Sequence, residues 1–138
     1  MTTNNETRVV VTGMGAITCL GNSVEEFWTG IKNGQSGIRE ISLVSPDGFP
    51  CSVSGEIQDF EASDYMDRKE ARRMARFSQF AVVAAQQAVA DSKINFEDED
   101  LDRIGVLIGT GSGGLPETDQ QAEIRVKRGV GRMSPYYI

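Results

Sequence analysis

The chain has 138 residues, 39% hydrophobic and 25% charged, which fits one soluble globular unit long enough to bury a core. Its net charge of −6 argues against general nucleic-acid binding, which needs a basic field, and no apolar run approaches membrane-spanning length. No histidine occurs, so a Cys–His or Ser–His pair and the usual His-containing zinc sites cannot be built from this chain alone.

The first seven residues are polar, with no hydrophobic block, and read as a flexible tail with no secretory signal. That makes a cytoplasmic protein the expectation. Residues 8–12, Arg-Val-Val-Val-Thr, form a β-branched run suited to a buried strand, ending at Gly13-Met14-Gly15, where glycine permits close backbone approach. Ser23 and Glu26 have capping-box spacing; Val24, Phe27, Trp28 and Ile31 then make an apolar stripe, and Gly34 supplies a stop. Residues 37–57 are irregular, with short strands expected near 37–41 and 53–57.

Asp67 and Glu70 repeat the N-cap and N3 spacing and open the clearest predicted helix. Met74, Phe77, Ala81, Ala84 and Ala88 recur at helical intervals, and residues 80–90 are apolar on nearly all sides, as for a helix inside a larger assembly. The acidic stretch 97–102 reads as a loop or a short helical start. Residues 104–108, Ile-Gly-Val-Leu-Ile, predict a second buried strand, followed by a glycine-rich turn and a polar helix over 117–127. Strands alternating with helices imply an α/β fold with a mainly parallel sheet. The apolar ending Pro-Tyr-Tyr-Ile has nothing after it to cover it, which implies either a partner surface or a fragment.

Gly109, Gly111 and Gly114 form a literal G-x-G-x-x-G between strand and helix. A dinucleotide site also needs an acidic residue about 20 positions on, closing a second strand, and neither is present. The preferred reading is a crowded strand-to-helix turn. Cys19 and Cys51 lie in or near glycine-containing loops, and without a histidine partner both read as inert.

The charge is unevenly spread. Arg68, Lys69, Arg72, Arg73 and Arg76, with Glu70 as the only acid among them, give residues 68–76 a charge of +4 and leave −10 for the remainder. On one helix these basic residues would line one side, offset from the apolar stripe. Such a stripe is either a solvated face or a docking patch for an acidic partner. A second basic run, Arg125, Lys127, Arg128 and Arg132, contains no acid.

Five stretches in register resemble one family. They are residues 8–22, the Gly34-Gln35-Ser36-Gly37-Ile38 segment, residues 67–80, residues 104–114, and Ser134-Pro-Tyr-Tyr-Ile. Together they resemble the start of the β-ketoacyl-[acyl-carrier-protein] synthases, most closely the second, elongating class, with polyketide ketosynthases as near relatives. The resemblance implies a thiolase-like fold, a five-layered sandwich of two related halves. Residues 8–138 would be the N-terminal part of the first half. It also implies a homodimer and a decarboxylative Claisen condensation of an acyl thioester with malonyl-carrier protein in fatty-acid elongation, with no cofactor or metal. The rival readings are a non-catalytic ketosynthase-like partner subunit or a polyketide ketosynthase.

In the family the nucleophilic cysteine and two histidines lie beyond residue 138, so the resemblance assigns no catalytic residue here. It matches Lys69, Arg72 and Arg73, and more weakly Arg132, to positions that contact the acidic acyl carrier protein. Ser112 stands where relatives often carry a bulky apolar residue gating the acyl pocket. Tyr136 and Tyr137 match an aromatic pair near the dimer interface that helps wall that pocket, where phenylalanine is more usual.

Overall fold

The computed structural model describes residues 7–137. Most of the expected tail, residues 1–6, and the last residue of the apolar ending lie outside the described residues.

The first helix, α1, spans Val24–Lys32. Ser23 caps it by accepting the Glu26 N–H, while the Glu26 carboxylate takes the N–H of Asn22 at 2.7 Å, one residue earlier than a standard capping box. At its other end Gly34 adopts φ +65°, so that its N–H reaches Ile31 O and the Gln35 N–H reaches Gly30 O. That pair of bonds is a Schellman closure, and it needs the left-handed residue that glycine supplies. Two short strands, β1 (Arg39–Glu40) and β2 (Val53–Ser54), then pair antiparallel within the irregular region, as expected.

The long helix predicted after Asp67 is two helices. Asp67 caps α2 (Arg68–Ala71), its Oδ1 accepting from Lys69 and Glu70, but the helix stops there. The Arg73 N–H folds back to Glu70 O and the Met74 N–H to Ala71 O, tightening the last turn. Ala75 is extended, and α3 (Arg76–Ser92) starts afresh. The Gln79 side-chain amide also donates to Ala71 O at 2.8 Å, a second bond to the carbonyl that the Met74 N–H already takes. At the start of α3 the Arg76 N–H is taken by Glu117 of α4 (Leu115–Arg128) at 3.3 Å, an acid placed on a helix N-terminus from another helix. Three-ten turns cover Ala62–Asp64, Phe96–Asp98, Leu101–Arg103 and Val130–Arg132.

The core lies between the 57–66 segment, α2 and α3. Val83 is 1% exposed, and Phe60, Ala62 and Ala71 are buried with it. Phe60 stacks on Tyr65 at 5.3 Å and meets the edge of Phe80 at 4.9 Å. Residues 13–22 lie along the flank of α3 so closely that a Cβ on Gly13 or Gly15 would run into the backbone of α3 at Ala84, Ala88 and Ser92. This bears out the close approach expected of Gly13-Met14-Gly15. Asp91 accepts the Met14 N–H at 2.9 Å, and Gln87 accepts the Ala16 N–H while donating to Asn22 O.

Two expectations need correction. Residues 8–12 and 104–108 join no ladder and are exposed: Val9 is 89% and Leu107 99% accessible. A parallel strand exists only by hydrogen-bonding to a neighbour, and among the described residues neither segment has one, so no parallel sheet forms here. The turn that follows is open, not crowded, at Gly109 and Gly111; only Gly114 packs closely, against Ala75 and Phe77.

Candidate functional site

The basic residues converge on the corner between α2 and α3. Lys69 sits in the first turn of α2, Arg72 caps its C-terminus, and Arg73 lies in the connecting turn; all three are exposed. The break removes the single helical stripe that their spacing suggested. Arg76 leaves the exposed set: its guanidinium donates to Ile57 O at 2.7 Å and Phe60 O at 3.5 Å, and lies over the rings of Phe60 and Phe80. It is a structural cation, spread between two carbonyls and two aromatic faces. Arg68 and Arg72 line a cleft of about 310 Å³ with Glu61, Ser63 and Gln79. The Ser63 hydroxyl and backbone N–H hold the Glu61 carboxyl below its ordinary range, with Arg68 and Arg76 adding attraction.

The second half of the site is brought in by α4. Gln121, the buried polar residue of this helix, accepts the Ser134 N–H at 2.7 Å through its side-chain oxygen. Ser134 in turn accepts the Tyr136 N–H at 3.2 Å. This chain of bonds delivers the Tyr136 ring beneath Arg73, whose guanidinium carbon lies 4.8 Å from the ring centroid. Tyr136 remains 56% exposed, and Tyr137 beside it is also exposed. Arg132 projects from the turn after α4, and Ser112 lies exposed in the bend before it; neither shares the Arg73–Tyr136 contact. Among the described residues no three His, Cys, Asp or Glu side chains are grouped to hold a metal ion.

The corner therefore presents exposed cations, one of them seated on an aromatic face, at the end of a helix pair. The sequence profile described as "Beta-ketoacyl synthase, N-terminal domain" matches residues 6–137. The chain belongs to the β-ketoacyl synthase family.

Among its relatives, 3-oxoacyl-[acyl-carrier-protein] synthase 2 of Synechocystis sp. is 47% identical over 131 residues, covering 95% of this chain and 32% of that protein. The enzyme of the same name from Staphylococcus aureus is 40% identical over the same share of each chain. The solved ishigamide ketosynthase/chain length factor superposes with a TM-score of 0.75 at 30% identity, over 93% of this chain and 32% of its own. The fold is thus the N-terminal part of a thiolase-like ketosynthase, and the chain spans about a third of the length of the curated relatives it matches.

Within that family frame Gln121, Glu117 and the aromatic seat of Arg73 went unseen in the sequence. Their partners lie 13, 41 and more than 60 positions away, beyond any helical or strand spacing. A glutamine in a polar helix carries no signal that it will be buried. Cys19 packs against Gly37, and Cys51 is exposed with its thiol 3.5 Å from Val53 O. Neither stands near a histidine, since the chain has none.

Proposed function

We propose that the polypeptide carrying this chain is a cytoplasmic, homodimeric 3-oxoacyl-[acyl-carrier-protein] synthase of fatty-acid elongation. It joins an acyl thioester to malonyl-carrier protein with loss of carbon dioxide, without cofactor or metal. The observation that carries this reading is the 47% identity to a 3-oxoacyl-[acyl-carrier-protein] synthase 2 over nearly the whole chain. In this reading the chemistry itself belongs to residues outside the 138, because a Cys–His nucleophile needs a histidine and this chain has none.

The part played here is recognition. Lys69, Arg72 and Arg73, with Arg132 as a further cation, dock the acidic carrier by charge-assisted contacts and long-range steering. Ser112 lies at the mouth of the acyl pocket, where a small polar side chain leaves more room than a bulky apolar gate. Tyr136 and Tyr137 contribute to the pocket wall near the dimer interface. That no helix of the described residues is long and apolar enough to cross a membrane fits this reading. Incubating the full-length protein with acyl- and malonyl-carrier protein is the test: a 3-oxoacyl-carrier product is expected, and its absence overturns the proposal.

The match to a ketosynthase/chain length factor supports a second reading, a partner subunit without condensing activity of its own. A cysteine at the family's nucleophile position in the full sequence favours the enzyme; its replacement favours the partner.

A further inference from the structure

We infer that Asn33–Gly34 is a site of spontaneous deamidation, gated by the Schellman closure at the end of α1 and, once modified, unable to restore that closure. The inference stands apart from the condensing activity proposed above.

The chemistry begins in the sequence. Asn33 is the one asparagine followed by glycine in the 138 residues. Glycine has no side chain to shield its own nitrogen, so that nitrogen can reach the preceding side-chain carbonyl carbon. The step forms a bond from Gly34 N to Asn33 Cγ. The Asn33 side-chain nitrogen leaves as ammonia, taking the proton that Gly34 N gives up. Water then opens the cyclic imide. Opening at the side-chain carbonyl gives aspartate; opening at the main-chain carbonyl gives isoaspartate, whose backbone runs through Cβ. The one aspartate followed by glycine, Asp47, offers a poorer electrophile, a carboxylate that accepts the Ser45 hydroxyl at 2.9 Å.

The structure supplies both reach and restraint. Asn33 and Gly34 are exposed, and nothing lies within 4 Å of where a Cβ on Gly34 would stand. The restraint is the helix end itself. The Gly34 N–H donates to Ile31 O at 3.0 Å, and the Gln35 N–H to Gly30 O at 2.9 Å. Ring closure removes the Gly34 proton, so it cannot proceed while that N–H is bonded to Ile31. The reaction therefore waits for the last turn of a nine-residue helix to fray, and helix ends are where opening costs least.

The change runs one way. Either product sets a carboxylate at the negative end of the α1 dipole. Isoaspartate also adds a backbone atom before Gly34, which takes the two N–H groups out of register with their carbonyls. Gly30 and Gln35 share the wall of a cleft of about 520 Å³ with Cys19 and Arg39, so that wall loosens with the closure.

The test incubates the full-length protein at mildly alkaline pH, folded and in urea, and follows the peptide bearing residue 33 by mass spectrometry with separation of aspartate from isoaspartate. Both products are expected in the folded sample, at a rate about tenfold or more below that in urea. Gln35→Pro deletes the N–H that reaches Gly30 O and should speed conversion of the folded protein. Ser23→Ala, which removes the N-cap of α1, serves if the proline variant does not fold. Gly34→Ala should slow conversion in urea by crowding the attacking nitrogen. In converted protein the Gln35 amide should exchange its hydrogen faster than in the parent.

No conversion in the folded protein after many urea half-times overturns the inference. So do equal rates in the folded and urea samples, or an unchanged folded rate in both the proline and the Ser23→Ala variants. Conversion that leaves Gln35 exchange at the parent value overturns the one-way loss of the closure.

Discussion

Two glycines decide how closely the N-terminal segment can lie on α3. At Gly15 an added Cβ would strike the carbonyl oxygen and backbone of Ala84, which cannot move aside as a flexible side chain could. Gly15→Ala is therefore expected to destabilise the full-length protein by about 2 kcal/mol or more, the upper range of overpacking penalties, measured by urea denaturation. An unchanged midpoint would mean the two backbones separate at little cost. Glu56 makes a different prediction. The Ser42 hydroxyl, with backbone N–H groups of Leu43 and Ser42 and the Gln58 amide, lowers its pKa from 4.5 to about 2. Since the folded value is the lower one, the stabilisation is present above about 4.5 and fades as pH falls toward 2. Glu56→Gln should flatten that part of the stability–pH curve, and an identical acid limb in the variant would remove Glu56 as its cause.

At the scale of elements, the corner between α2 and α3 has one cap from its own sequence and one from a distance. Asp67→Ala removes the acceptor for Lys69 and Glu70 and should cost about 1 kcal/mol of stability in denaturant unfolding, with the four-residue α2 fraying first. The same corner carries the docking prediction. Arg72→Glu with Arg73→Glu should weaken carrier binding, and the deficit should widen as ionic strength is lowered, because exposed charges act at longer range there. A deficit independent of salt would point to lost packing instead.

The capped ends of α1, the N-cap of α2 and the two short strands were legible because each rests on neighbours in sequence; the close approach at Gly13 and Gly15 was legible from the glycines, but not the distant helix α3 that they meet. The break at residues 72–75 was not. The apolar positions Met74, Phe77 and Ala81 run through it in helical spacing, and the glutamine that stabilises the break looks like any polar helix residue. The basic residues of the site were legible as charge, while their division into exposed Lys69, Arg72 and Arg73 and half-buried Arg76 required the fold.

At the scale of the whole chain, residues 8–12 and 104–108 carry strand sequence without strand partners. Val9, Val11, Val106 and Leu107 stand open to water, and their backbone donors and acceptors are unpaired in any ladder. Open apolar strand edges invite pairing with other chains. The 138 residues produced alone are therefore expected to bind a hydrophobic dye strongly and to scatter light at micromolar concentration, whereas the full-length protein should do neither. A monomeric, dye-silent 138-residue product would show that the segments find cover within it.

The reach of Glu117 to the start of α3 also sets an order of events. As the chain leaves the ribosome, α3 emerges well before the acid that takes the Arg76 N–H, which follows 41 residues later. Until α4 has formed and folded back, the first turn of α3 frays, and the turn bearing Arg73 hangs from that loose end. Tyr136 is made later still. The exposed basic corner is thus the last part of this region to set, so a nascent chain cannot present it in finished form before α4 is in place.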